Sequence, residues 1–455
     1  MKNYPLICLV AYLFLTISCR HDDNIDDMAQ EGSINLNAKL SDAILTASNG
    51  LGKAFFELPD PGDWESIPQD PLNPITNEKV ELGKLLFHET GLGINPNLSL
   101  GKETYSCASC HFASAGFQAC RQQGIGEGGV GFAFNGAHRT LGALYNEENA
   151  DIQPIRTPTA MNGAYQEVML WNGQFGAQGV NEGTQASWTA ETPKENNFLG
   201  FQGLEIQAIA GLGVHRLGIS DYVLDELNYR PLFDEAFSND DAQERYSLVN
   251  AGLAIAAYER TILSNQAPFQ KWLKGDLEAM SPKEIEGAIL FFGKANCSNC
   301  HTGPALNKMD FAAIGLKDLY ECDLDVLKTS AEDLENKGRG GFTGRAAEEY
   351  KFKIPQLYNL KDSPFYGHGS SMTSIREVIA YKNKALAENL NVPSSQLSEE
   401  FVPLHLNEEE IDALVIFLER SLKDPNLSRY EPEHVLSGNC IPVNDVLSSH
   451  QLGCH

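Results

Sequence analysis

The stretch "YSCASCHFAS" at 105–114 sets Cys107, Cys110 and His111 in the order Cys-x-x-Cys-His, and "ANCSNCHTGP" at 295–304 repeats it with Cys297, Cys300 and His301. On a helix, positions i, i+3 and i+4 share a face, so both thiols and the imidazole can address one flat ligand. Zinc needs four ligands, usually from paired Cys-x-x-Cys units close in sequence, and these two units are far apart. A thioredoxin-like redox pair sits in a βαβ setting, which surrounds neither motif. Covalent haem c fits: two thiols for the vinyl groups and the adjacent imidazole for the iron. The spacing therefore predicts two covalently bound haem c groups, with His111 and His301 as proximal ligands.

The match extends outward from the motifs. "ELGKLLF" (81–87) precedes the first and "IEGAILFF" (285–292) the second, pairing Gly83, Leu86 and Phe87 with Gly287, Leu290 and Phe291. After them, "RTPTAMNGAYQEVMLWNG" (156–173) parallels "KIPQLYNLKDSPFYGHG" (353–369), with Pro158 and Asn162 answering Pro355 and Asn359. Shared order across four landmarks predicts an internal repeat. The fold class expected is mainly α: two cytochrome c-like helical haem domains, separated by long Gly/Pro-rich loops such as 58–77 and 116–137. The domains are placed at 34–245 and 246–430, with a tail at 431–455. In the second half, "SIREVIAYKNKALAENL" (374–390) opens on a Ser374/Glu377 capping box and sets Ile375, Val378, Ile379 and Leu386 on one face. "NEEEIDALVIFLERSL" (407–422) follows an Asn407 cap with Ile411, Leu414, Val415 and Leu418 inward.

Across 455 residues, 34 basic against 61 acidic side chains give a formal charge of −27, which excludes a nucleic-acid partner and favours a well-solvated surface. The start, "MKNYPLICLVAYLFLTISC", has Lys2 and an apolar run from Pro5 to Ile17, the pattern of a secretory signal (1–18). Its end, "LTISC", resembles a bacterial lipoprotein box with Cys19 as the lipid-bearing residue; an ordinary cleaved signal is the alternative. Either exports the protein to the periplasm or cell envelope, with membrane contact only through an N-terminal lipid. Residues 19–33, polar and acidic, read as a flexible tether before folding begins near Ile34. Cys8 lies in the signal, and Cys120, Cys322, Cys440 and Cys454 are left over from the motifs. Cys440 with Cys454 is the preferred disulfide, closing a short loop in an otherwise unstructured tail. Cys120 and Cys322 stay thiols or form a second bridge.

From about 66 to 425 the chain resembles the bacterial di-haem cytochrome c peroxidase family, including its MauG-type branch. The resemblance is carried by "IPQDPLNPITNEKVELGKLLF", "CASCH", "RTPT", "LWNG", "CSNCH", "FKIPQLYN" and "GS" before "SIREVIAY". It implies that the first haem is where peroxide reacts and that the second relays electrons. Trp171 resembles the tryptophan between the haems; the alternative is a core aromatic, with Tyr366 as its repeat partner. At the second haem, Tyr381 stands where peroxidases place a methionine ligand, as in the MauG-type branch, and would lower that haem's potential and favour higher iron oxidation states. A core tyrosine, or Met372 as ligand, are the alternatives. Over the first haem, Gln207 matches the family's glutamine, and His215 stands nearest the place of its glutamate. An imidazole there can shuttle a proton between peroxide oxygens or ligate the iron; Glu205 is a fallback acid. His138 is the histidine of the loop that supplies a labile ligand in the family. An interdomain calcium is usual, but Arg156 replaces the asparagine expected before "TPT", which argues against it.

The function expected is an exported di-haem c oxidoreductase that reduces hydrogen peroxide to water with electrons from a small donor such as cytochrome c. One alternative is MauG-like oxidation of a protein or organic substrate through high-valent iron. Another is a non-enzymatic electron-transfer cytochrome. The sequence is silent on a homodimer.

Overall fold

In the computed structural model, residues 23–322 and 326–454 are described. The expected signal peptide, with Cys8, and Cys19 lie outside them. A helix spans Asp23–Ala47 and so begins within the stretch expected to be a tether.

The two halves repeat one helix crossing. Helix Asn77–His88, started by Thr76 accepting from Lys79 N, buries Leu82, Leu86 and Phe87 against helix Leu248–Thr261. Helix Pro282–Phe292, started by a Ser281/Glu284 capping box, packs likewise against helix Glu408–Ile416. At each crossing a glycine lets the backbones touch. A Cβ on Gly83 would lie 1.9 Å from Ala254 O, and one on Gly287 2.1 Å from Ala413 O. The paired asparagines repeat as closely: Asn162 and Asn359 both adopt φ 54°. Their amides donate to Ile262 O (2.8 Å) and Leu422 O (3.0 Å). Their side-chain oxygens accept from Ser264 N and Asp424 N, both at 3.1 Å.

The halves are not cut where the sequence placed them. Helix Leu248–Thr261, expected in the second domain, lies in the core of the first, with Leu204, Ile209 and Phe87, so the boundary of 245/246 moves beyond Ile262. The termini also cross. Leu40, Ile44 and Phe56 join the second core beside Phe291 and Phe417, whereas the C-terminal tail returns to the first half. There Val443 packs with Phe112 and Phe132, Asn444 N donates to Thr104 O (3.0 Å), and Arg139 meets Asp445 in a buried pair at 2.9 Å. The expected Cys440–Cys454 disulfide is present, but the tail it closes is ordered rather than unstructured, ending in helix Val446–Leu452.

Helix Ile375–Lys384 has the expected capping box but stops at Ala385 (φ 50°), which leaves Leu386 71% exposed instead of on the core face. Strand is confined, among the described residues, to two short antiparallel ribbons: Gly129–Val130 with Thr140–Leu141, and Lys308–Ala312 with Phe352–Ile354. No helix among them is long and apolar enough to cross a membrane.

Candidate active site

Each Cys-x-x-Cys-His motif is a single tight turn, Cys107–Ser109 and Cys297–Asn299, instead of a full helix. The turn still gathers the triad, because His111 N donates to Cys107 O (3.2 Å) and His301 N to Cys297 O (2.9 Å). The imidazoles are then fixed from behind. His111 Nδ1 donates to Phe117 O at 3.1 Å, and His301 Nδ1 to Pro355 O (3.0 Å) and Leu306 O (3.2 Å). That tautomer leaves each Nε2 as the ligating atom. Burial pulls both histidines down to about 4, so both are neutral at pH 7, the form that binds iron. Burial also pushes the thiols up, Cys110 and Cys297 to about 12. They are not the low-pKa thiolates of a redox pair.

The first half has further features that suit a large buried group. Tyr105 Oη, Arg121 Nε, Gln122 Nε2 and Gln207 Oε1 are buried with no hydrogen-bond partner, an arrangement a packed core avoids. At Gly124 a Cβ would lie 2.5 Å from Cys110 Sγ, so backbone seals that flank of the motif. The residues present fit haem.

Helix Gly203–Val214 carries Gln207 and ends at His215. His215 Nδ1 meets Asp151 Oδ2 at 2.7 Å, and its charge is felt by His111. Burial pulls His215 down, but the Asp151 carboxylate and their hydrogen bond outweigh it and hold the imidazole above its ordinary value. Next to it, Arg216 pairs with buried Glu127 at 2.7 Å. Asp151 was not foreseen from sequence. Glu205 is corrected: it is fully buried and forked by Arg260 at 2.6 and 2.7 Å, so it holds structure and is not available as a proton donor. His138 is exposed beside Phe134.

Trp171 lies at the junction of the halves. Its Nε1 donates to Arg156 O (3.0 Å) and its carbonyl accepts from Lys353 N (2.8 Å). A continuous path results: His301 to Pro355 O, along the chain to Lys353, across to Trp171 and then Arg156, and on to Thr157, whose Oγ1 accepts from Gly124 N (3.0 Å) beside Cys110. The repeat partner of Trp171 is not Tyr366. Bridges Met169–Phe175 and Tyr366–Met372 are equivalent, which makes His368 the counterpart. Met372 is buried.

At the second motif, the Tyr381 hydroxyl donates to Ile314 O and, at 3.0 Å, to Gly315 O, so in this conformation it is turned to backbone and not presented as a ligand. Lys382, on the same helix, acts by its charge on Cys297, Cys300 and His301, and Glu400, Lys308 and Asp310 act on Cys300 as well. A groove of about 1090 Å³ opens beside Cys300, lined by Lys308, Asp310, Phe311 and Glu400.

The calcium implied by the resemblance does not fit. The Arg156 guanidinium, 2% exposed, occupies the junction itself and donates to Arg121 O (3.0 Å), Gln118 Oε1 (3.1 Å) and Ser363 Oγ (2.6 Å). Burial lowers it only to about 10, so it stays a cation. No cluster of three or more His, Cys, Asp or Glu able to hold a metal ion occurs among the described residues.

Residues 77–278 match the family described as di-haem cytochrome c peroxidase. The chain is 30% identical over 376 residues to the methylamine utilization protein MauG of Methylorubrum extorquens, covering 82% of this chain and 85% of that protein. It is 26% identical to the cytochrome c551 peroxidase of Nitrosomonas europaea, covering 77% and 83%. Its fold resembles the crystal structure of a MauG-like protein associated with microbial copper homeostasis, with a TM-score of 0.57 at 23% identity, over 82% of this chain and 96% of the other. With two Cys-x-x-Cys-His turns set in repeated helical halves, this chain belongs to the di-haem cytochrome c peroxidase and MauG family and is a haem oxidoreductase.

Proposed function

We propose that this protein is an exported di-haem c peroxidase, lipid-anchored at Cys19, that reduces hydrogen peroxide to water with two electrons and two protons, the electrons coming from a small donor protein such as cytochrome c. The observation that carries this reading is the His215–Asp151 pair, which caps the helix that carries the unpartnered Gln207 Oε1 and acts electrostatically on His111. Haem on His111, when bound, supplies the iron redox chemistry needed to cleave an O–O bond.

The chain's own residues do the rest. Gln207 Oε1 accepts a hydrogen bond from peroxide and orients it. His215, its Nδ1–H fixed on Asp151, takes the proton of one oxygen at Nε2 and delivers it to the other, which leaves as water. Cys107 and Cys110 anchor one haem and Cys297 and Cys300 the other. Trp171 and its hydrogen-bonded path join the two motifs. The groove beside Cys300 gives an external donor access to the second motif. Purified protein is expected to turn over peroxide with reduced cytochrome c; absence of turnover both after pre-reduction and in the oxidised state would sink the reading. A Trp171→Phe variant should slow turnover without changing either haem's binding.

A second reading, MauG-like oxidation of a protein or organic substrate, is supported by the 30% identity to MauG and by Tyr381. It requires the Tyr381 hydroxyl to leave the carbonyls of Ile314 and Gly315 when haem is attached. Tyr381→Phe then changes the low-spin spectrum of the second haem. An unaltered spectrum removes this reading and leaves the peroxidase.

A further inference from the structure

Two buried basic side chains are exchanged between the halves. Arg156 and Lys353 each stand two residues before a proline of the repeat, Pro158 and Pro355. Arg156 N donates across the junction to His368 O (3.2 Å), and Lys353 N to Trp171 O (2.8 Å). The side chains repeat the exchange. The Arg156 guanidinium reaches Ser363 Oγ at 2.6 Å in the second half. The Lys353 ammonium reaches Gln166 Oε1 and, at 2.7 Å, Val168 O in the first. Gln166 and Ser363 are themselves equivalent, following Asn162 and Asn359 at the same interval. Arg156 is 2% exposed and Lys353 6%, and neither forms an ion pair with a carboxylate among the described residues.

Between them the two equivalent rings meet. Trp171 lies edge-to-face with His368 at 6.4 Å, and His368 stacks on Phe352 at 3.6 Å. His368 is held by buried Asp318 at 2.9 Å, which Asn389 holds in turn at 2.9 Å. A buried donor without its acceptors is costly, the more so when it is charged. Because Lys353 takes both its acceptors from the opposite half and Arg156 takes one of its three there, sliding one half over the other costs both side chains a partner at once.

We propose that Arg156 and Lys353 together do what an interdomain metal ion would do: they lock the halves in one register and hold Trp171 against His368, so that the alignment of the two haem domains needs no calcium. Both act as positioning residues.

The test uses the purified holoprotein with calcium in excess and with a calcium chelator. The unfolding midpoint and the electron paramagnetic resonance signals of the two haems are expected to be the same in both, and calorimetry should show no heat of calcium binding. A calcium-dependent midpoint or spin state, or a binding heat, overturns the proposal. In a second arm, Arg156→Gln and Lys353→Gln should each lower the midpoint and uncouple the first haem's signal from the oxidation state of the second. Arg156→Lys, which keeps the charge but loses the fork, should recover part of both. Wild-type midpoints and coupling in both Gln variants also overturn it. If those variants do not fold, the calcium arm still decides. None of these readouts uses peroxide, so their failure is distinguishable from failure of the peroxidase reading.

Discussion

Glu205 and His215 occupy the same helix and its cap, yet their surroundings give them opposite roles. Glu205 is closed on itself by Arg260, both fully buried. Glu205→Gln leaves that guanidinium without its counter-charge, and a loss of about 3–5 kcal/mol is expected in denaturant unfolding. His215 meets one carboxylate and keeps a second nitrogen for chemistry. His215→Ala should lower kcat/KM for peroxide by about 100-fold or more, the span of a lost acid–base group. The pH dependence gives a sharper check. The imidazole must be neutral to take the first proton, and Asp151 holds its pKa above the usual value against burial and against Arg216 nearby. Activity is therefore lost as pH falls through that raised value. Asp151→Asn should move this acid limb to lower pH while lowering the maximum; an unmoved limb excludes His215 as the base. Gln207 and His215 could be read from the run "EIQAIAGLGVHRLG". Asp151 could not, because it comes from a loop 64 residues away with no spacing that announces it.

At the scale of elements, repeated letters foretold repeated geometry where the geometry is backbone-dictated. Gly83 and Gly287 are the plainest instance, since each lets one helix lie directly on a carbonyl of another. Alanine at either forces the helices apart at a cost of about 3 kcal/mol. Gly83→Ala should deplete the first haem and spare the second, and Gly287→Ala the reverse, as read from the pyridine haemochrome content and the high-spin to low-spin ratio. The Ser374/Glu377 box was likewise legible, because a cap is a local contest for a few amides. Where helices end was less so: Leu386 continues the apolar period, but Ala385 has already left the helix. The pairing of Trp171 with Tyr366 failed for a related reason. Matching aromatic to aromatic overrode the constant offset of the paired prolines and asparagines, and that offset, which the equivalent bridges share, puts His368 opposite Trp171.

For the whole molecule, the sequence was sound on the number of halves and poor on their limits. Cores are shared by surface complementarity, not by order along the chain, so helix Leu248–Thr261 serves the first half and Leu40, Ile44 and Phe56 the second. The tail shows the same thing with a covalent clasp. Its disulfide closes a loop of sequence separation 14, and Ser106 and Ser109, which flank Cys107, both donate to Pro442 O. Replacing Cys440 and Cys454 by serine should cost about 3 kcal/mol by the loop-entropy argument. The loss should appear first as easier release of the first haem's spectrum on warming, with the second unaffected.

The crossed termini also govern what a single backbone break can do. The stretch 274–278 is exposed and lies after Ile262, beyond which the first core gains no residue until the chain returns at Leu427. Nicking it cuts the chain in two without giving two separable bodies, since the amino-terminal piece keeps a helix embedded in its neighbour and the carboxy-terminal piece keeps its tail wrapped over the other. Gel filtration of the nicked protein should show one particle of undiminished size, and two bands only after denaturation. During synthesis the same interlacing means that the first haem domain completes its walls only when Leu427, Val443 and Asp445 have followed the whole of the second.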